Sequence, residues 1–321
     1  MREAVRSTLA QELEGMEIII SDDCSSDNTF RILQEEVDQY DGQHNVILRK
    51  TKKNLGVNGH LNELVNLSHG ELIVLGSGDD VARADKALAI YKKWMETKAL
   101  VFGCAPILID QSGIQIGKFF SKGIPKDYSC NGILKRRNAG IFISGFDRAV
   151  FDVFGPLQEG TTEDQVLPFR AALMSNAGIE VITEPLVSYR AHDDSKVMSL
   201  TFANNKDPHE IIVNKLEVFI DLYTGWSNDF KLAKKKNISN PPRVEKRIKR
   251  RLSFCVILFE LARESRLFSR IKAYARYCAS GFLPLHYALL LPYVIFPRLT
   301  STTISWIVRN VVYSRRFARG I

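Results

Sequence analysis

Two pairs of adjacent aspartates, each placed directly after an apolar run, are the residues of this sequence best suited to chemistry. The first pair, Asp22 and Asp23, follows Glu-Ile-Ile-Ile-Ser at residues 17–21 and precedes a turn rich in Ser, Asp and Asn. Carboxylates at this position can accept hydrogen bonds from the imide and hydroxyl groups of a ligand. The alternative is a capped turn without a ligand, because Ser and Asp also suit helix N-caps.

The second pair ends the segment Gly76-Ser77-Gly78-Asp79-Asp80, which follows another apolar run. Its small residues let a ligand approach the backbone closely. A single carboxylate can hold Mg²⁺ when the phosphate oxygens of a substrate complete the coordination. The alternative is an ordinary polar loop between a strand and a helix, which is the commoner outcome for an isolated Gly-Asp-Asp.

Two further residues, Asp164 and His192, are candidates for proton transfer and metal binding. Thr162 and Gln165 have the T-x-x-Q spacing of a capping box, which by itself explains the segment around Asp164. The functional alternative makes Asp164 a general base within hydrogen-bond reach of an acceptor hydroxyl. His192 could ligate a metal or contact a diphosphate, although a lone histidine is more often structural or exposed.

Hydrophobic periodicity predicts elements that bring the aspartate pairs to one edge of a sheet. Strands are predicted at residues 17–21, 45–48, 71–75, 100–104, 141–144 and 180–182, and helices at residues 29–40, 58–67 and 85–97. Strands that alternate with helices predict an α/β fold with a doubly wound sheet. Ligands bind beyond the carboxyl ends of the strands in such sheets, so we expect both aspartate pairs at this rim.

The last third of the chain is predicted to be helical and basic, with helices at residues 210–223 and 246–277. Ten Lys and Arg residues lie within residues 231–251 beside a single acid, whereas the rest of the chain is close to neutral. This asymmetry favours a catalytic body with a basic patch that faces an anionic partner over a uniformly basic nucleic-acid binder. We expect two regions, residues 1–200 and residues 201–321.

The cysteines and the apolar segments predict a cytoplasmic protein. The five cysteines are scattered without a C-x-x-C pair, which indicates reduced thiols. The first residues lack the apolar stretch of a signal peptide. Residues 281–297 are apolar but contain three prolines and are shorter than the roughly 20 residues of a membrane-spanning helix. They are expected either to contact the inner face of the cytoplasmic membrane or to pack as core against the C-terminal helices.

In this order and at these separations, the segments resemble the family 2 glycosyltransferases over residues 3–195. The resemblance also rests on Asn54-Leu55-Gly56, His69-Gly70-Glu71-Leu72-Ile73, Ala84-Asp85-Lys86 and Leu186-Val187-Ser188-Tyr189-Arg190-Ala191-His192. It implies a GT-A-like α/β fold with a doubly wound mixed sheet, of the nucleotide-diphospho-sugar transferase type, followed by a helical, basic C-terminal extension.

The resemblance implies a role for each candidate residue. Asp164 is expected to be the catalytic base, and Asp79 to be a metal ligand with His192 as a further contact to metal or diphosphate. The implied cofactor is a divalent metal, Mg²⁺ or Mn²⁺. The residues expected to bind the nucleotide sugar are Asp22, Asp23, Asn54, Gly56, Ser77 and Asp80.

Two departures from the family pattern predict a weakened site. The family usually begins with a strand that carries a Pro-x-Tyr-Asn type turn, whereas this chain begins inside the helix that follows that strand. The resemblance therefore implies that the domain is N-terminally incomplete. Ser77 stands where the family often has the first aspartate of a D-x-D motif, which removes one carboxylate from the metal site.

The resemblance implies an inverting, metal-assisted transfer of a sugar from a nucleotide-diphospho-sugar donor to a saccharide or lipid-linked acceptor, in the synthesis of cell-surface polysaccharide. A second hypothesis is a non-catalytic remnant that binds no donor. A third is a nucleic-acid-binding module built on residues 231–251, although this basic segment lacks the interleaved aromatic residues that would support it.

Overall fold

The computed structural model describes residues 1–120, 123–136, 139–191, 208–238 and 241–263 of the chain. These residues form two compact units. The first comprises residues 1–120, 123–130 and 139–191, and the second comprises residues 131–136, 208–238 and 241–263. The predicted boundary near residue 200 lies outside the described residues, and the sequence assigns residues 131–136 to the first region.

Strands and helices alternate through the first unit, as the sequence predicts. The strands of the described residues are β1 (Glu17–Asp22), β2 (Asn45–Lys50), β3 (Leu72–Val74), β4 (Val81–Ala82), β5 (Val101–Cys104), β6 (Ile107–Ile109), β7 (Gln115–Lys118), β8 (Phe142–Asp147), β9 (Ile179–Ile182) and β10 (Val187–Arg190). The helices are α1 (Arg2–Leu9), α2 (Thr29–Asp38), α3 (Gly56–Leu67), α4 (Lys86–Thr97), α5 (Cys130–Arg136), α6 (Ala149–Phe154), α7 (Glu163–Met174), α8 (Pro208–Lys235) and α9 (Val244–Arg263).

The predicted α/β class is confirmed, and the predicted elements of the first unit are present with ends that differ by a few residues. The elements that the sequence analysis missed are β4, β6, β7, α5 and α6. In the second unit, the helix predicted at residues 210–223 lies inside α8. Of the helix predicted at residues 246–277, the described part is contained in α9, and residues 264–277 lie outside the described residues.

The described strands pair in three sheets rather than one. β1 and β2 form a parallel pair, and the two four-stranded sheets have the orders β3-β8-β5-β9 and β4-β10-β6-β7. Both larger sheets are mixed, because β5 pairs parallel with β9 and antiparallel with β8, and β10 pairs parallel with β6 and antiparallel with β4. The mixed character that the family resemblance implies is therefore confirmed. The two aspartate pairs follow strands of different sheets, because β1 and β3 are not in the same sheet.

A small apolar cluster fixes the end of β1. Successive residues of a strand point to opposite faces, and β1 buries Ile18 and Ile20 against Leu9 of α1 and Leu33 of α2. Asp22 is the next residue on this face and is therefore buried as well. The two-residue period of the strand that buries Ile18 and Ile20 therefore also turns Asp22 inward.

The centre of the first unit is β5, whose four residues are all buried between β8 and β9. Phe102 and Cys104 of this strand pack in one cluster with Ile90 of α4, Ile182 of β9 and Leu186. This cluster supports the segment from β3 to α4, which carries the second aspartate pair.

The second unit is held together by apolar residues of α8 and α9. Leu216, Tyr223, Trp226 and Phe230 recur along one buried face of α8, with Ile248 buried on α9. No described helix combines the length and the apolar content needed to cross a bilayer. Four cysteines are free thiols (Cys24, Cys104, Cys130 and Cys255), while Cys278 lies outside the described residues.

Candidate active site

The loop after β1 is built around the buried carboxylate of Asp22, which is only 3% exposed. Both of its oxygens accept the backbone N–H of Ser25 at 3.2 Å, and Lys50 Nζ lies 3.4 Å from Oδ2. Cys24 has a positive φ of 62°, and the chain turns there between Asp22 and Ser25. The carboxylate of Asp22 thus holds the loop in shape.

Asp23 is partly exposed and joins this loop to the segment between β2 and α3. Its carboxylate accepts the Leu55 N–H at 2.9 and 3.1 Å and the Thr51 hydroxyl at 3.1 Å. Asn54 donates from Nδ2 to the Asp23 carbonyl and accepts the Gly56 N–H, each at 3.1 Å. Gly56 has a φ of +69°, a conformation that favours glycine. The structure brings Asp23, Asn54 and Gly56 together, and their nucleotide contacts stay a prediction.

The loop after β3 presents one carboxylate outward and one inward. Gly76, Ser77, Gly78 and Asp79 are exposed, whereas Asp80 is only 7% exposed. Burial raises the pKa of Asp80 to about 6, although hydrogen bonds from the backbone N–H of Arg190 and from the Ser77 side chain stabilise its charged form. The bond from Arg190 N to Asp80 Oδ1 is 3.0 Å. Asp79 thus lies at the surface, while Asp80 ties the loop to β10.

A buried lysine lies beneath this loop. Lys86 is only 5% exposed, and its Nζ donates a hydrogen bond of 2.5 Å to the carbonyl of Leu75. Burial lowers the pKa of Lys86 to about 8, while the charges of Cys104 and Asp80 act in the opposite direction. The sequence analysis identified Lys86 only as part of a motif, because burial of a lysine is not readable from sequence.

Asp164 lies in the first turn of α7, where its carboxylate is partly buried. Burial raises the pKa of Asp164 above its usual range, and hydrogen bonds from the Thr162 and Gln165 side chains offset part of this effect. The bond from Gln165 Nε2 is 3.1 Å long. The capping box allowed by the sequence is wrong: Thr162 makes no side-chain cap bond, and Gln165 Oε1 accepts the Ala139 N–H at 2.8 Å.

Two asparagines of α3 hold the loop that precedes Asp164. Asn58 Nδ2 donates to the carbonyls of Gln158 at 2.7 Å and Thr161 at 2.8 Å. Asn62 donates to the Leu157 carbonyl at 2.9 Å and accepts the Leu157 N–H at 2.7 Å. The sequence analysis missed both residues. The sequence does contain a signal for them, because two asparagines stand four residues apart on a predicted helix. Asparagine is unfavourable inside a helix unless its amide group is hydrogen-bonded.

The site fits a metal that is completed by ligand oxygens rather than one caged by protein. The described residues contain no group of three or more His, Cys, Asp or Glu that could hold a metal ion. Asp79 is the exposed carboxylate of its loop, and one carboxylate with substrate phosphates suffices for Mg²⁺. The predicted ligand His192 lies outside the described residues.

Comparisons with known proteins relate the chain to a family and to a fold. Residues 1–152 match the family model described as glycosyl transferase family 2. The chain is 29% identical over 154 residues to the GalNAc(5)-diNAcBac-PP-undecaprenol beta-1,3-glucosyltransferase of Campylobacter jejuni, which covers 47% of this chain and 48% of that protein. It is 27% identical over 159 residues to the putative glycosyltransferase EpsE of Bacillus subtilis. This aligned segment covers 46% of this chain and 55% of that protein.

The chain spans about half the length of the curated relatives it matches. Its fold is similar to the crystal structure of S. aureus TarS 1–349 in complex with UDP, with a TM-score of 0.54, 14% identity, and coverage of 97% of this chain and 88% of that chain. At this identity the likeness concerns the fold alone. Residues 1–152 are therefore similar to glycosyl transferase family 2, and the chain has a GT-A-like fold.

Proposed function

We propose that this protein transfers a sugar, with inversion and with the help of a divalent metal, from a nucleotide-diphospho-sugar to a saccharide or lipid-linked acceptor in the synthesis of cell-surface polysaccharide. The observation that carries the proposal is the contrast between two carboxylates. Asp79 is exposed on a glycine-containing loop after β3, and Asp164 is partly buried with a raised pKa at the start of α7. The exposed Asp79 suits binding of a metal and a diphosphate, and the partly buried Asp164 suits proton transfer.

The donor side of the proposal rests on two neighbouring loops. Asp23, Asn54 and Gly56 form one bonded unit beside the end of β1, with polar groups available to a nucleoside. Gly76 and Gly78 leave the backbone before Asp79 open to a diphosphate. TarS, which shares the fold, is known in complex with UDP. A nucleoside diphosphate is therefore the ligand class we assign to these loops.

The metal is assigned to Asp79, with His192 as the proposed second contact. When bound there, Mg²⁺ or Mn²⁺ would neutralise the negative charge that develops on the departing nucleoside diphosphate. The substitution of Ser77 for the usual acid leaves the protein with few ligands, so we expect metal and nucleotide to bind together rather than separately. Asp80, being turned inward, is assigned to the loop's shape and not to the ligand.

The transfer itself is assigned to Asp164 acting as a general base. The acceptor hydroxyl oxygen bonds to the anomeric carbon while the bond from that carbon to the diphosphate oxygen breaks, and the hydroxyl proton passes to the Asp164 carboxylate. The raised pKa makes this carboxylate a better proton acceptor than an exposed aspartate. One displacement inverts the anomeric carbon, and no covalent intermediate is needed.

The second unit is assigned to an anionic membrane surface, where a lipid-linked acceptor would be found. The Campylobacter jejuni relative is named for a PP-undecaprenol substrate. In this chain, the end of α8 and the start of α9 form a surface that we term the basic tip. Its exposed residues are Lys231, Lys234, Lys235, Lys236, Arg243, Lys246, Arg247, Lys249 and Arg250. Each basic residue near an anionic surface contributes about 1 kcal/mol.

The first test is thermal stabilisation by nucleoside diphosphates and nucleotide sugars, with and without Mn²⁺ or Mg²⁺. We expect one nucleotide class to raise the unfolding temperature only when metal is present. Asp79→Ala should abolish this shift, and Asp41→Ala, which removes an exposed carboxylate before β2, should keep it. A folded protein that responds to no nucleotide would favour the remnant hypothesis instead.

The membrane assignment is tested by sedimentation with vesicles that contain anionic lipid. We expect a triple variant of the basic tip, Lys234→Gln with Lys235→Gln and Lys246→Gln, to bind at least about tenfold more weakly. The control removes the same charge elsewhere, at the exposed Lys52, Lys92 and Lys98. Equal losses in both triple variants would refute a dedicated membrane surface, and preferential binding to nucleic acid would favour the third hypothesis.

A further inference from the structure

Arg190, the last residue of β10, donates hydrogen bonds to the main chain of two loops. Its Nε donates to the carbonyl of Asp79 at 3.1 Å, and its Nη1 donates to the carbonyls of Asp110 and Gln111, each at 2.9 Å. Nη2 forms an ion pair with Glu3 of α1. The Arg190 side chain is only 14% exposed, whereas its partners Glu3, Asp79 and Gln111 lie at the surface.

The main chain of Arg190 adds a contact to the same loop. Its N–H donates to the Asp80 carboxylate at 3.0 Å, next to the carbonyl of Asp79 that its side chain holds. One residue thereby holds both the Asp79 carbonyl and the Asp80 carboxylate. Ser77 also bonds to the Asp80 carboxylate, so the inward acid is held from both sides.

The loop depends on such outside contacts because its own residues restrain it weakly. Gly76 and Gly78 have no side chains to pack, and the segment from Gly76 to Asp79 is exposed. Glycine also has the largest conformational freedom to lose on ordering. The guanidinium is a rigid, planar group with five N–H donors, which suits it to hold several carbonyls in one geometry.

A second arginine provides a comparison within the same unit. Arg148 also donates to three carbonyls, those of Val65 at 2.9 Å, Ser68 at 2.7 Å and Gly70 at 2.8 Å. These acceptors lie in the last turn of α3 and in the segment between α3 and β3, and they include no candidate site residue. Arg148 therefore has a similar bonding role without a carbonyl of the acidic loop.

We propose that Arg190 is the positioning residue of the metal loop. By holding the Asp79 carbonyl and the Asp80 carboxylate, it directs the exposed Asp79 carboxylate toward the metal and diphosphate. This inference rests on the proposed function, because it concerns the same donor site. Arg190 itself touches neither ligand in this role, so its loss should weaken the metal dependence rather than remove a chemical step.

The first experiment measures the Mn²⁺ concentration that half-saturates nucleoside diphosphate binding in the wild type, Arg190→Lys and Arg148→Lys. A lysine keeps the charge but cannot reach three carbonyls in a fixed plane. We expect the half-saturating concentration to rise about tenfold in Arg190→Lys, equivalent to 1.4 kcal/mol, and to stay within twofold in Arg148→Lys. Equal values in all three proteins, or equal rises in both variants, would overturn the proposal.

The second experiment needs no ligand and separates this inference from the proposed function. Amide hydrogen exchange of the peptide covering residues 75–82 should be faster in Arg190→Lys than in the wild type and in Arg148→Lys. Unchanged exchange would overturn the inference even if the enzyme proves active. A wild type that binds no nucleotide with metal would refute the proposed function, while the exchange result would still decide whether Arg190 orders the loop.

A third variant covers the case in which Arg190→Lys does not fold. Glu3→Gln removes the charged partner of the guanidinium and leaves every carbonyl in place. We expect both readouts to change in the same direction by a smaller factor. No change in either readout for a folded Glu3→Gln would then contradict the positioning role.

Discussion

The loops after β1 and β3 each carry two adjacent aspartates, and each loop buries one of them and turns the other outward. In the first loop the buried residue comes first, because Asp22 is 3% exposed and Asp23 is partly exposed. In the second loop the order is reversed, because Asp79 is exposed and Asp80 is 7% exposed. The strand period explains the first pair, because Asp22 ends β1. In both loops the pair supplies one acid to the fold and one to the surface.

The loops differ in how the outward carboxylate is held. Asp23 accepts bonds from Leu55 and Thr51, so its position is fixed before any ligand arrives. The peptide of Asp79 is held by Arg190 through its carbonyl. The first loop is therefore held by bonds from the segment that follows β2, and the second relies on a residue from a strand more than a hundred positions later. Experiments that distinguish inward from outward carboxylates test this contrast directly.

The largest effect is expected at Asp164, a carboxylate that is neither fully inward nor fully outward. Asp164→Asn removes the proposed base and should lower kcat roughly 10²- to 10⁴-fold, without lowering the unfolding temperature at neutral pH. Burial raises the pKa of Asp164, so ionisation opposes folding as pH rises through this value, and the amide avoids that cost.

Steady-state rates and thermal unfolding of Asp164→Asn would be compared with those of Asp152→Asn, at an exposed position of α6. The wild-type kcat/KM should fall as pH is lowered through the raised pKa, and the residual activity of Asp164→Asn should not follow this limb. An active Asp164→Asn with an unchanged pH profile would exclude Asp164 as the base.

The next largest effect concerns the lysines beside the two loops. Folded Lys86 loses its proton near pH 8, whereas the unfolded side chain does so near 10.5. Between these values the unfolded chain binds more protons, so wild-type stability should rise with pH relative to Lys86→Met, by up to about 3 kcal/mol. Denaturant unfolding at several pH values measures this difference. Lys50→Met, at the exposed lysine that ends β2 beside the first loop, is the control, and an identical profile for both variants would contradict the role of burial.

A smaller effect should separate the two acids of the second loop. Asp80→Ala leaves the Arg190 N–H without its acceptor and should lower the free energy of unfolding by about 1–3 kcal/mol. Asp79→Ala should change it by no more than about 0.5 kcal/mol, as expected for an exposed residue. Urea unfolding of both variants without ligand tests the contrast, which would fail if Asp79→Ala were the less stable of the two.

The smallest effect is expected at the outward acid of the first loop. Asp23→Ala loses the bonds to Leu55 N–H and the Thr51 hydroxyl and should destabilise the fold by about 1 kcal/mol, because these groups are only partly shielded from water. The same urea experiment provides the value. A destabilisation no larger than that of Asp79→Ala would mean that the outward acid of the first loop is no more firmly held than that of the second.

Sequence patterns predicted the elements that have a strong local period. The Ile-Ile-Ile run of β1 and the apolar stripe of α4 are of this kind, and both aspartate pairs follow strands as expected. The two-residue β4 was missed because its partner is β10, where Val187 pairs with Ala82. Pairing over such a separation leaves no local signal.

The candidate site was predictable in its residues but not in their orientation. The family resemblance predicted a ligand contact for both residues, a metal at Asp79 and the nucleotide sugar at Asp80, and only packing shows that Asp80 is turned toward Arg190. The capping box at Thr162 was a plausible local solution, but Gln165 bonds to Ala139 instead. Side-chain partners that are distant in sequence decide both cases, which is why spacing alone failed.

Helix α3 has a consequence for the order of events during turnover. Its first residue, Gly56, bonds to Asn54 in the donor loop, and its Asn58 and Asn62 hold the segment that leads to Asp164. A 12-residue helix is a stiff rod about 18 Å long, so α3 couples the donor loop to the segment before the proposed base. Product-inhibition kinetics of the proposed transferase should therefore reveal compulsory order, in which the nucleotide sugar enters before the acceptor.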